Sequence, residues 1–143
     1  MTVAIDSAVS APPLTLGRLV VLIRDYDEAL AFYRAAFGAH VLFDAPSPTG
    51  DRYLHVGFGT EGSAGVWFLR GAGETASRIG RQTGGEPLAV FYTADVHATV
   101  ARAVAAGAEV VRPIDSAAGA SFAHVADLYG NVFVFAELSS PAA

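Results

Sequence analysis

The sequence states one pattern twice. An apolar run ending at Asp25 is followed by a helical stretch and by Gly38-Ala39, which lead into a second apolar run; around Asp95 and Gly107-Ala108 the same order returns. Asp25 and Asp95 stand 70 positions apart. That spacing exceeds the roughly 20–50 residues of a solenoid unit, so it marks a duplicated half-domain. A chain built from two such halves has its natural working site where they meet.

Apolar periodicity supplies the elements. A strand is expected over 17–24, then a helix opening at Asp25, whose carboxylate can cap it with Glu28 completing a capping box. Leu30, Tyr33 and Phe37 share one helical face, and Gly38 provides a left-handed stop. Strands over 40–44, 52–58 and 65–70 follow, separated by a turn at 46–50 and a loop at 59–64. The second half repeats the series: strand 87–93, helix 95–106 with Val96, Val100 and Val104 as its apolar stripe, then strands 109–113, 121–126 and 131–138. Turns are expected at 115–119 and at 127–131, where Gly130 and Asn131 suit positive φ.

Two helices among eight strands are too few to cover both faces of a parallel sheet. The expected class is therefore α+β, with two βαβββ halves, each a curved and mostly antiparallel sheet with its helix on the outer face. The halves span 14–70 and 87–138 of a single domain, 14–138, joined by a polar connector at 71–86. A flexible leader, 1–13, and a tail, 139–143, complete the chain.

Composition narrows the function classes. With 143 residues, 52% apolar and 16% charged, the chain can bury a real core. A net charge of −5 disfavours nucleic acid as a partner, since phosphates need a basic face. The absence of cysteine excludes disulfides, thiolate ligands and a cysteine nucleophile. No apolar run approaches the 18 residues or so of a membrane span, and residues 1–13 lack the features of a signal peptide. A cytoplasmic protein without membrane partners is expected.

The segment from Asp25 to Tyr33 (Asp-Tyr-Asp-Glu-Ala-Leu-Ala-Phe-Tyr) and the hairpin Asp127-Leu128-Tyr129-Gly130-Asn131 resemble signatures of the vicinal oxygen chelate superfamily. That group includes glyoxalase I, bleomycin resistance proteins, extradiol dioxygenases and methylmalonyl-CoA epimerase. The hairpin is similar to the family's Asp-Pro-Asp-Gly-Asn, with Leu128 and Tyr129 replacing Pro and Asp. The resemblance covers about residues 16–138 and implies a curved sheet around a central cleft. Its metal enzymes carry His, Gln or Glu on the first and last strand of each half. The matching positions here are Arg18, Phe68, Leu88 and Val134, and none of these side chains is a metal donor. Their immediate neighbours are no better, so no metal and no cofactor are expected.

If those positions face a cleft, the resemblance implies an apolar, aromatic cup. Strand alternation adds Val20 and Leu22, Val90 and Tyr92, and Val132 and Ala136 to the same faces. Tyr92 can stack on a ligand and hydrogen-bond to it. Arg18 can fork onto a carboxylate or phenolate, or simply be a solvated strand end. Among the histidines, His40 and His97 read as exposed. His55 and His124 lie on equivalent strands of the two halves and are candidates for inward-facing ligand, metal or acid–base groups. Glu61 and Asp51 read as solvated, and the connector as a basic lid or a plain linker. The leading expectation is a metal-independent protein binding a small aromatic or apolar ligand, similar to the drug-sequestering members of the family. The alternative is a lyase, isomerase or dioxygenase with relocated ligands or no cofactor. A homodimer is expected in either case.

Overall fold

The computed structural model describes residues 11–139. Most of the expected leader and tail therefore lies outside the described residues, and residues 11–13 are exposed without regular structure. The element order is β1 (Arg18–Ile23), α1 (Tyr26–Phe37), β2 (His40–Pro46), β3 (Arg52–Gly57) and β4 (Gly65–Arg70), then β5 (Pro87–Tyr92), α2 (Val96–Ala105), β6 (Glu109–Ala117), β7 (Ala120–Ala126) and β8 (Val132–Leu138). The strands form two mixed four-stranded sheets of the same topology, ordered β1-β4-β3-β2 and β5-β8-β7-β6. In each, the first and last strands of the half run parallel and the other pairs antiparallel. The two βαβββ halves of an α+β fold are thus present, as two sheets with no ladder joining them among the described residues.

Both helices start as the aspartates require. Asp25 accepts from the Glu28 N–H at 2.8 Å and Asp95 from the Ala98 N–H at 3.0 Å. The expected reciprocal capping box does not form: Glu28 turns to Arg24 at 3.0 Å, and the Asp25 N–H goes to the Tyr129 hydroxyl at 3.3 Å. Gly38 stops α1 at φ 70°, returning its N–H to the Arg34 carbonyl. In α2 the apolar stripe is shorter than expected. Val96 is buried, Val104 is exposed, and Ala103 takes the inner position.

Strand alternation gives each sheet a helix face and an open face. Val21, Ile23, Leu54, Val56, Val66 and Phe68 pack with Ala29 and Tyr33 in one core, and Phe133 from the second half joins them. Phe37 at the end of α1 lies 5.6 Å from both Phe133 and Phe135, centroid to centroid. The two halves therefore share core on their helix sides. The connector contains a short 3-10 helix, Gly73–Arg78. Beyond it Gln82 reaches the outer edge of β1, accepting from the Leu22 N–H at 2.6 Å and donating to the Val20 carbonyl at 3.0 Å.

Candidate ligand site between the half-sheets

β1 and β5 are each an edge strand of their sheet, and a crevice of about 850 Å³ lies between them. Its walls are Leu19, Val20 and Val21 on one side and Leu88, Val90 and Tyr92 on the other. Phe37, Phe91, Phe133 and Phe135 form its depth, while Thr60 and Ser63 of the β3–β4 loop and Thr99 and Arg102 of α2 contribute polar groups. The volume falls within the roughly 300–1,000 Å³ of small-molecule sites, and the lining has their usual apolar character with a few polar groups. Val90 is 53% and Tyr92 75% exposed, so side chains as apolar as these stand at the surface beside the opening. Arg102 also ties the halves together, its guanidinium donating to the α1 carbonyls of Ala35 and Arg34 at 3.0 and 3.2 Å.

Next to the crevice, the open face of the first sheet carries an aromatic row. Val20 pairs with Trp67, Trp67 with His55, and His55 with Phe43. The His55 ring lies 5.7 Å from Trp67 and 5.6 Å from Phe43, and Tyr53 is 6.5 Å from Trp67. Arg18 lies one step along the same face, donating from Nε to His55 Nδ1 at 3.2 Å and from Nη1 to the Gly17 carbonyl at 2.8 Å. Burial, reinforced by the Arg18 charge, holds the His55 pKa below its ordinary value. The equivalent row of the second sheet runs Val90, Val134, His124 and Arg112. The two histidines thus occupy matching positions, but on separate sheets and with different neighbours.

The structure distributes the residues expected at the site unevenly. Val20, Leu88, Val90 and Tyr92 line the crevice. Arg18, His55, His124 and Val134 lie on the open faces outside it. Leu22 and Val132 belong to those faces by alternation but are only 8% and 7% exposed, Leu22 lying where Gln82 closes the β1 edge. Phe68 is a correction: it is fully buried on the helix face, 4.9 Å from the Tyr33 ring. The open-face residue of β4 is Trp67, one position earlier. Sequence reasoning also missed Leu19, Thr60 and Arg102 of the crevice, for which no local pattern signals a role.

The family model of the Glyoxalase/Bleomycin resistance protein/Dioxygenase superfamily matches residues 15–135. The chain belongs to that superfamily. No curated protein matches it. Among solved structures it is similar to UcmS2, at 23% identity and TM-score 0.77, covering 90% of this chain and 100% of that one. TnmS3, an antibiotic binding protein from Streptomyces sp. CB03234, gives 23% identity and TM-score 0.73 over 92% and 100% of the two chains. TioX from Micromonospora sp. ML1 gives 26% identity and TM-score 0.65 over 87% and 98%. Identities this low establish the shared fold.

Within the superfamily the metal centre is the feature to test, and the donors here do not fit one. Arg18 cannot give up its proton, and Leu88, Val134 and either Trp67 or Phe68 supply no ligating atom. Among the described residues no three His, Asp or Glu side chains gather where an ion would sit, and neither His55 nor His124 has a carboxylate among its hydrogen-bond partners.

Proposed function

We propose that the protein is a metal-independent binding protein for a small, flat, largely apolar molecule held in the crevice between the half-sheets. The observation that carries this reading is the crevice itself, built from β1 and β5 with a deep floor of phenylalanines. An aromatic ligand gains ~25 cal/mol for each Å² of apolar surface it buries, and stacking adds to that. The fold shared with TnmS3, an antibiotic binding protein, supports a small-molecule ligand here as well. The donor-poor positions described above support binding without a metal. A homodimer in the cytoplasm completes the proposal. The net charge of −5 and the lack of any helix, among the described residues, long and apolar enough to cross a membrane accord with neither nucleic acid nor bilayer as a partner.

Fluorescence titration with the neutral probe N-phenyl-1-naphthylamine tests the site. Saturable binding is expected, and Val90→Arg, which inserts a charge at an exposed point of the crevice wall, should raise the Kd by about tenfold or more. Binding of the same strength in the variant would place the ligand elsewhere.

A further inference from the structure

Resting on that reading, we propose that Arg18, His55 and Trp67 form the polar end of the same site, and that its ligand is an aromatic molecule bearing a carboxylate or phenolate oxygen. The three residues adjoin the crevice through their strand neighbours: Val20 and Gly65 line it, and they pair with Trp67 and Arg18 respectively. They also share the open face of three adjacent strands, with Phe43 and Tyr53 as flanking rings.

Every one of the three groups offers a donor. Trp67 Nε1 is the one buried side-chain polar atom among the described residues that has no hydrogen-bond partner. An N–H left in that state is unfavourable, and an incoming acceptor would satisfy it. Because His55 Nδ1 accepts from Arg18 Nε, the neutral imidazole carries its proton on Nε2 and presents a second N–H. Arg18 commits Nε and Nη1, and leaves Nη2 without a partner among the described residues. Its positive charge is also unbalanced. The ion pairs of the described residues engage Arg24, Arg52 and Arg70, and none engages Arg18.

The backbone beneath is shaped for this. A Cβ on Gly65 would collide with the Val56 carbonyl and with Leu42, so β4 needs glycine there, and the Arg18 stem passes within contact distance of that position. In the second half Val134 replaces Trp67 and Arg112 occupies the place of Phe43, so the donor triad belongs to the first half alone. Three donors, one of them an unpaired cation, select an anionic acceptor over a neutral amide, whose own N–H groups would oppose them.

Trp67 is the only tryptophan, so its indole N–H gives a single, assignable resonance in the spectrum of ¹⁵N-labelled protein. Titration with 2-naphthoate and with 2-naphthamide compares an anion and a neutral amide of one shape. Naphthoate is expected to move the indole proton downfield and to bind about tenfold or more tightly than the amide. Arg18→Gln should bring the two Kd values together. Equal affinities, or naphthoate binding that leaves the indole resonance in place, would overturn the polar-end assignment while the crevice reading stood. Failure of both compounds to bind would contradict the crevice reading too.

Discussion

Asp127 accepts four hydrogen bonds while only 6% of it reaches solvent. Its Oδ1 takes the backbone N–H groups of Tyr129 and Asn131, both at 2.9 Å, and its Oδ2 takes Asn131 Nδ2 at 2.9 Å and the Tyr33 hydroxyl at 2.6 Å. Desolvation, with the neighbouring carboxylate second, holds the Tyr33 pKa well above its ordinary value, so the phenol stays protonated and donates. The two segments that carry the family resemblance are therefore partners: the tyrosine of the helical signature holds the aspartate of the hairpin signature. Tyr129 adds a second bridge, its hydroxyl hydrogen-bonded to the backbone at Asp25, with its own pKa pushed up to about 12, chiefly by burial. Asp127→Ala leaves four donors without their acceptor and should cost about 3–5 kcal/mol, against about 1–2 kcal/mol for Tyr33→Phe. Urea denaturation measures both. A loss below about 1 kcal/mol for Asp127→Ala would mean that the hairpin and helix are held by packing alone.

At the scale of elements, strands whose two faces differ were readable and strands apolar on both faces were not. In β1 the polar Arg18 fixes which residues are open. In β4 the run Val66-Trp67-Phe68-Leu69 offers no alternation, and a one-residue slip exchanges the faces, which is how Phe68 came to be expected where Trp67 stands. β6 runs to Ala117 and not to residue 113, because the chain reverses at Ala118 and Gly119, both at positive φ, and Asp115 stays in the ladder opposite Phe122. Helix caps, in contrast, were legible, since Asp25, Gly38 and Asp95 act through bonds local in sequence. The connector was not. Gln82 is unremarkable in sequence, yet its amide serves as a one-residue strand partner for the open edge of β1. Gln82→Leu should accelerate hydrogen exchange at the Leu22 amide and lower stability by about 1–2 kcal/mol. Unchanged exchange at Leu22 would show that the connector does not guard this edge.

For the whole molecule, the duplication predicted two alike halves, which the two sheets of one topology are, and a crevice lies where they meet. What the repeat could not convey is how the halves are joined. That depends on non-local contacts: Arg102 on the end of α1, Tyr33 on Asp127, and Phe37 among Phe91, Phe133 and Phe135. These contacts leave the first-half open face aromatic and donor-rich and the second-half face aliphatic at Val134, so the two copies have diverged in chemistry while keeping their topology. The donor-poor strand positions of this superfamily member fit ligand binding without a metal, and native mass spectrometry of the protein as purified, before any chelator, is the test. The expected result is a metal-free mass, most simply that of a homodimer, with any adduct being organic. A stoichiometric divalent ion would contradict it and direct attention to His55 and His124.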